Sequence, residues 1–334
     1  MKKQRIWQKN SSVISPDLPI LNQANRSSVQ DQQSIDMWTK IAIYGFLYPL
    51  SLLPLSVLYA MGSVMRFFIY NILHYRLEVV RLNLQNSFPD KTQQERKTIE
   101  RKYYRHLVNL FVEGIKLLTL SRKELMKRYR CVNPEVVNDC FRQGKSVILL
   151  SGHYNNWEWM VLSLSMQFLH HGIGVGKPNT NKIFERIINK ARTRYGTEVV
   201  FADTVRDVFA DYDQQHTLCS YMMLCDQSPA SVEKSYITFF LHQPSAMIYG
   251  AEYFAKKYNY PVLYYVVRQA RRGYYEIEVE TISDTPQNAS YGTVIESYVK
   301  LLQRDIETNP PFWLWSHKRW KFPVPPFERG LSER

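Results

Sequence analysis

The first 36 residues are rich in Ser, Gln, Asn, Asp and Pro and have no sustained apolar period, the pattern of a flexible polar tail. The character then changes abruptly. From Ile41 to Met65 run 25 residues without a charge, IAIYGFLYPLSLLPLSVLYAMGSVM. As one helix this segment would be about 37 Å long, enough to cross a hydrocarbon core of roughly 30 Å with some tilt. Trp38 and Tyr59 lie near its ends, where amphipathic rings favour the membrane interface. Two prolines, Pro49 and Pro54, each remove a backbone donor and would kink a helix, so a buried or re-entrant segment is the competing expectation. A cleaved secretory signal is rejected because a long polar stretch precedes the apolar run. The flanking cations, Arg26 and Lys40 before, Arg66, Arg76 and Arg81 after, place the larger C-terminal part in the cytoplasm by a small margin.

Beyond the anchor the period changes. Between Lys91 and Leu120, Ile99, Tyr103, Leu107, Leu110, Phe111, Leu117 and Leu118 recur at three- and four-residue steps, predicting an amphipathic helix. From about residue 130, short apolar runs alternate with helical stretches. Strands are predicted at Ser146–Leu150, Ile173–Val175, Glu198–Phe201, Leu218–Leu224, Pro261–Val267 and Tyr274–Glu280. Helices are predicted at Trp157–Leu169, Asn181–Tyr195, Pro244–Tyr258 and Tyr291–Glu307. Such alternation predicts an α/β fold, a mixed and mostly parallel sheet flanked by helices, preceded by an N-terminal membrane-anchoring helix. The last two strands leave no room for a crossover helix and should pair antiparallel. The expected organisation is a polar tail over 1–36, a membrane anchor over 37–66, a catalytic domain over 67–325 and a short C-terminal tail over 326–334.

Charge and cysteine content narrow the partners. Forty-three Lys and Arg against thirty Asp and Glu leave a formal charge of +13, which favours a polyanionic partner: nucleic acid, an anionic membrane face, a phosphorylated lipid or an acidic carrier protein. The chain has no recognised nucleic-acid-binding motif, and a long apolar segment fits that role poorly. Cys131, Cys140, Cys219 and Cys225 lack CxxC spacing and any nearby set of metal ligands, so they read as ordinary thiols of a reducing compartment, with no metal site expected.

The candidate chemistry follows the strand SVILL, in SGHYNNWEW. His153 stands in the loop between a strand end and a helix, where α/β sheets place their ligands, and imidazole is the side chain best suited to move protons near neutral pH. Glu158, five positions later and one turn into the helix, is placed to fold back and accept a bond from the ring, which would fix its tautomer. An isolated His followed by Glu is more often structural than catalytic. The strand–loop–helix setting and the Ser-Gly lead-in shift that balance.

At these residues the chain resembles a known family. His-x4-Asp/Glu is the hallmark of the glycerolipid acyltransferase superfamily, and the longer Gly-His-x-x-Asn-Trp-Glu is similar to the lipid A biosynthesis (lauroyl/myristoyl) acyltransferases. The resemblance runs from about Met37 to Phe322. It includes Asn83-Leu84…Phe88-Pro89, Gly174-Val175-Gly176-Lys177-Pro178-Asn179, Arg192-Thr193-Arg194, Asp226-Gln227, Phe239-Phe240 and the closing Trp315-Ser316-His317-Lys318-Arg319-Trp320-Lys321. It implies passage of a fatty acyl group from acyl carrier protein to a hydroxyl of a glucosamine-based lipid A precursor. His153 would be general base and Glu158 its orienting partner, with no other cofactor. Asn156, Lys177, Arg192 and Asp226 would contribute to substrate binding. Arg192 would hold a lipid phosphate or the developing oxyanion, unless it is merely an exposed helix-end residue. Asp226 would have a less defined role, organising Arg192 or a nearby loop. Lys177 stands where relatives often carry Arg, and offers phosphate a point charge without the bidentate fork. The implied setting is the bacterial inner membrane, as a single-pass protein with its catalytic domain in the cytoplasm. Its partners there would be acyl carrier protein, a phosphorylated glycolipid acceptor and the membrane itself.

Two rivals remain at this stage: an acyltransferase of the same architecture acting on another glycolipid or amino-acid lipid, and a non-catalytic membrane scaffold that keeps the fold. Gly172-x-Gly174-x-Gly176-Lys177 lacks the spacing of a nucleotide phosphate loop. His170 and His171 read as the polar end of an apolar helix. His317, among Lys318, Arg319 and Lys321, belongs to a basic patch that could meet a carrier protein, a lipid phosphate or nothing.

Overall fold

A computed structural model describes residues 37–324; both terminal tails of the expected organisation lie outside the described residues. The apolar segment is helical but not continuous. Ile41–Leu47 and Tyr48–Leu52 form one piece, in which the earlier turns are of the wide π type. At Leu53 (ψ 150°) and Pro54 (ψ 144°) the backbone leaves helical space. Pro54 cannot donate to the preceding turn and biases Leu53 to extended geometry, which is why the break falls here. Helix α1 (Leu55–Phe67) then continues through Phe68–Ile72. The expected single helix over 41–65 is therefore two, although Leu55–Ile72 alone is long and apolar enough to cross a membrane.

Helix α2 (Leu77–Ser87) leads to the long amphipathic α3 (Gln93–Leu117), which opens on a capping box: Thr92 accepts from Glu95 N and the Glu95 carboxylate accepts from Thr92 N. Ile99, Tyr103, Leu107 and Leu117 of the expected stripe are buried, but Phe111 is 44% exposed and Val112 takes the inward position instead, so the buried face only partly follows the predicted period. Next come α4 (Arg122–Arg128), β1 (Tyr129–Cys131), α5 (Glu135–Arg142), β2 (Val147–Ser151), α6 (Trp157–Gln167) and β3 (His171–Gly176). They are followed by α7 (Lys182–Arg192), β4 (Glu198–Phe201), α8 (Val205–Gln214) and β5 (Cys219–Leu224). The chain ends with β6 (Ser235–Phe240), β7 (Gln243–Ile248), α9 (Gly250–Tyr258), β8 (Val262–Arg271), β9 (Tyr274–Ser283) and α10 (Thr293–Thr308).

Seven strands form one sheet in the order β1-β9-β8-β2-β5-β3-β4. Every neighbouring pair is parallel except β8 and β9, which pair antiparallel as their short connection requires. The mixed, mostly parallel α/β sheet is thus as expected. β2 sits centrally and is buried at all five positions, consistent with an uninterrupted apolar strand covered on both faces. Apolar layers lie on both sides of it: Ile148, Leu150, Tyr221 and Tyr264 face one, while Val147, Leu149, Met222 and Leu263 face the other.

One predicted helix is corrected. Residues 244–258 begin as strand, and only Gly250–Tyr258 is helical. β6 and β7 form a separate antiparallel hairpin whose turn places Leu241 and His242 at positive φ. Pro244 and Ser245 belong to its second strand, where ladder pairing with Phe239 and Thr238 outweighs the helix-like apolar spacing.

Candidate functional site

The loop Gly152–Asn156 leaves β2 at its carboxyl end and enters α6. Gly152 allows a close approach here: a Cβ would lie 2.8 Å from Leu302 Cδ1 and 3.2 Å from Asp226 Oδ2, so a larger residue would force the Leu302 side chain on α10 to shift. Asn155 adopts a left-handed conformation (φ 54°), donates from its amide to Val267 O (2.5 Å), and its backbone N–H meets Phe312 O (2.9 Å). Asn156 caps α6: its Oδ1 accepts from Trp159 N (2.9 Å), while its Nδ2 donates to the buried Glu113 (2.5 Å). Consecutive residues of the loop are thereby pinned to β8, the C-terminal segment and α3, so the His153 backbone has little freedom.

The carboxylate that meets the imidazole belongs to Asp226. His153 Nδ1 lies 2.7 Å from Asp226 Oδ1, and the His153 backbone N–H donates to Oδ2 (2.8 Å). Sheet register explains the meeting. Ser151 pairs with Leu224 at the ends of parallel neighbours β2 and β5, and each functional residue stands two positions further on. Trp313 Nε1 donates a third bond to Asp226 (2.8 Å), and the Trp157 ring packs edge-on to His153 with centroids 5.0 Å apart. Burial alone would raise the Asp226 carboxyl. The charge of His153 and the bonds from its ring, its backbone and Trp313 outweigh that and hold the group below the usual carboxylate range. The Asp226 side chain is 2% exposed and that of His153 17%, so the carboxylate is sealed behind a ring that reaches solvent.

Glu158 is committed elsewhere. Its carboxylate receives a bidentate pair from Arg192, Nε to Oε2 at 2.8 Å and Nη2 to Oε1 at 2.7 Å, and Asn189 steadies the guanidinium from the preceding turn (3.2 Å). Burial works against the Arg192 charge, but Glu158 more than compensates and raises it. The expectation that Glu158 folds back to orient His153 is corrected. Its place in the first turn of α6 directs it to the end of α7, and the ring finds its carboxylate on the adjacent strand. Of the other predicted site residues, Asn156 acts through its cap on α6, and Lys177 is exposed in the loop after β3.

One contributor was not anticipated from the sequence, and two members of its closing basic patch are wholly or partly buried. Trp313 holds Asp226. His317 accepts from Ser228 N (3.3 Å), and burial pushes it down to about 4, so it is neutral at physiological pH. Arg319, 3% exposed, donates to Ala246 O (2.7 Å), and burial lowers it to about 10. The closing basic patch is therefore divided: Lys318 and Lys321 face solvent, while His317 and Arg319 form part of the wall. Clustered cations and interleaved aromatic residues marked this patch in the sequence, whereas nothing there pointed to Trp313.

A histidine and a buried carboxylate at the carboxyl ends of neighbouring central strands, with Glu158 of the helix that follows ion-paired to Arg192, suit an α/β enzyme that moves a proton during group transfer. The chain belongs to the bacterial lipid A biosynthesis acyltransferase family, whose sequence model matches residues 30–322, and it is an acyltransferase. It is 21% identical over 279 residues to the lipid A biosynthesis lauroyltransferase of Escherichia coli (strain K12), covering 83% of this chain and 89% of that protein.

Proposed function

We propose that the protein transfers a fatty acyl group from an acyl carrier protein thioester to a hydroxyl of a phosphorylated lipid A precursor, at the cytoplasmic face of the bacterial inner membrane. The observation that carries this reading is the His153–Asp226 pair. An ionised carboxylate on Nδ1 keeps the proton on that nitrogen and leaves Nε2 as acceptor. The acceptor hydroxyl loses its proton to Nε2 as its oxygen attacks the thioester carbonyl. When the tetrahedral intermediate collapses, the C–S bond breaks, and the carrier thiolate recovers the proton from the imidazolium. No covalent enzyme intermediate is needed.

Asp226 stabilises the imidazolium formed midway. Glu158 presents Arg192 beside the same loop–helix junction. There the guanidinium serves as the charge that receives a phosphate of the acceptor or the developing oxyanion. Asn156 keeps the start of α6 in register, and Lys177 adds positive potential at the rim. The formal charge of +13 suits an acidic carrier protein and a phosphorylated acceptor alike. The apolar segment holds the enzyme where its acceptor is concentrated, which lowers the entropic cost of their meeting.

Lipid A from a strain lacking this protein tests the reading in the cell. Mass spectrometry should show a species lighter by one acyl chain, restored by the wild-type gene and not by His153→Ala. Unchanged lipid A would remove the acceptor assignment.

A further inference from the structure

From Ser51 to Tyr70 the apolar segment is fastened to the catalytic domain, largely by polar and charged groups, with one further bond near its start. Thr39 Oγ1 accepts from Asn181 (3.0 Å). Lys116 Nζ donates to the carbonyls of Ser51 (2.9 Å) and Leu53 (3.0 Å), and Thr119 adds a bond to Ser51 O (2.5 Å), so the break at Leu53–Pro54 is satisfied by α3 and the turn that follows it. Tyr59 OH meets the Glu113 carboxylate (2.5 Å), and the Arg272 guanidinium lies over the Tyr59 ring at 4.1 Å. Gly62 lets the two helices touch: a Cβ there would be 2.9 Å from Val112 Cγ2. At the far end Tyr70 OH donates to Glu100 (2.6 Å), which Arg81 also holds (2.9 Å).

These contacts run from Glu113 back to Glu100, so Leu55–Ile72 lies antiparallel against α3. That stretch of α3 also carries Arg101, Lys102 and Arg105; Arg101, Lys102 and Arg105 lie on the same few turns as the buried carboxylates. A spanning orientation would draw these cations and carboxylates into hydrocarbon with it, which the bilayer strongly opposes. The other face of the segment is exposed and largely apolar. Val57, Met61, Val64, Phe68 and Ile72 are exposed at three- and four-residue steps, a single helical stripe. Before the break, Ile41, Tyr44, Phe46, Tyr48 and Leu52 are exposed as well. Between Met37 and Leu77 there is no Asp or Glu, while Lys40, Arg66 and Arg76 supply positive charge for anionic headgroups.

We propose that this segment does not cross the bilayer: it is an in-plane anchor whose outer stripe sinks into one leaflet of an anionic membrane while its inner face stays packed on α3. The proposal rests on the membrane-bound reading above and specifies its topology. It also places the site at the lipid surface. Arg76, just past the segment, donates to Ser316 O (3.0 Å), Asn83 donates to Trp315 O (2.8 Å), and Leu314 N reaches the carbonyl of His153 (3.1 Å). The stretch that ends the anchor thus touches the strand of chain that backs the catalytic loop.

Cysteine accessibility in the full-length protein decides the topology. Ser11→Cys, before the segment, and Gln94→Cys, after it, would be expressed in bacteria and spheroplasts treated with a membrane-impermeant maleimide, with labelled positions mapped by peptide mass. An in-plane anchor predicts that both sites are labelled only after permeabilisation. Labelling of Ser11→Cys in intact spheroplasts, with Gln94→Cys protected, would mean a spanning helix and overturn the proposal. A wild-type protein found in the soluble fraction after lysis would instead overturn the membrane-bound reading itself. As a second readout, Met61→Glu with Val64→Glu should shift the protein from pelleted membranes to supernatant by about tenfold or more, with its unfolding midpoint unchanged. Full retention on membranes would remove the outer stripe as the contact.

Discussion

Asp226→Asn is the substitution on which the site geometry speaks most sharply. It keeps volume and shape but replaces one acceptor oxygen with a donor. Asp226 Oδ2 accepts from two fixed donors, the His153 backbone N–H and Trp313 Nε1, each at 2.8 Å. The amide oxygen of the substituted side chain must take that position, since the opposite flip would face an NH2 with two N–H groups at the cost of both bonds. The NH2 is then aimed at His153 Nδ1, which lies 2.7 Å from the other oxygen in the wild type. Nδ1 can accept from it only when unprotonated, so the proton moves to Nε2, the nitrogen that must receive the substrate proton. The same exchange in a serine-protease triad lowers kcat by about 10⁴, and loss of a general base in other enzymes by about 10²–10⁴. A drop of about 10³–10⁴ is expected here, about 4–5 kcal/mol at roughly 1.36 kcal/mol per decade. Folding should suffer less, by about 1–3 kcal/mol for the lost charge-assisted bonds. Steady-state kinetics on purified enzyme with an acyl carrier protein thioester, alongside thermal unfolding, would separate the two effects. KM should move by only a few-fold. If Asp226→Asn kept more than about a tenth of wild-type kcat while Glu158→Gln abolished turnover, the assignment of Asp226 as the partner of the ring would be wrong.

Glu158→Gln and Arg192→Ala should be non-additive for stability, because either change breaks the same bidentate pair. With both side chains nearly a third exposed, a double-mutant cycle in urea should give a coupling of about 1 kcal/mol, and strict additivity would refute the pair. Glu113 is pushed up to about 7, chiefly by burial against the opposing bonds from Tyr59, Tyr275 and Asn156. Its folded form therefore holds a proton that the unfolded chain has released, and its stabilising contribution is full below about pH 4.5 and is lost as pH rises through about 7. The unfolding free energy of wild type relative to Glu113→Gln should fall across that window with a limiting slope of about 1.4 kcal/mol per pH unit, and a flat difference would contradict it. Asp226 has the opposite sign: its contribution is present above the ordinary carboxylate pKa and is lost only on strong acidification. Gly62→Val should destabilise by about 1–3 kcal/mol through collision with Val108 and Val112, read as a lowered urea midpoint; an unchanged midpoint would mean that α1 does not pack on α3.

Elements with a strong period of their own were legible in the sequence. β4 was predicted at its observed bounds, β2, β3, β5, β8 and β9 within a few residues, and the long helix α3 by its buried stripe. Features decided by tertiary pairing were not. The β6–β7 hairpin is stabilised by a ladder that no local window contains, and Pro244 within it reads as a helix start. The break at Leu53 was signalled by Pro54, yet whether prolines kink or divide a helix depends on what receives the freed carbonyls, here Lys116 and Thr119. At the site, His153 could be found because its loop is contiguous. Its carboxylate partner lies 73 positions away in sequence and is brought near only by β2–β5 register. Glu158 was the nearer carboxylate along the chain, and proximity in sequence selected the wrong partner for the ring.

The most direct test of the account is product analysis with purified full-length enzyme, offered a panel of acyl carrier protein thioesters and a tetra- or penta-acylated lipid A precursor in anionic vesicles. The expected result is a lipid product heavier by one acyl chain, formed with stoichiometric release of carrier thiol and lost in His153→Ala. Release of thiol with no acylated lipid, or equal product from His153→Ala, would contradict a histidine-driven acyl transfer to this acceptor.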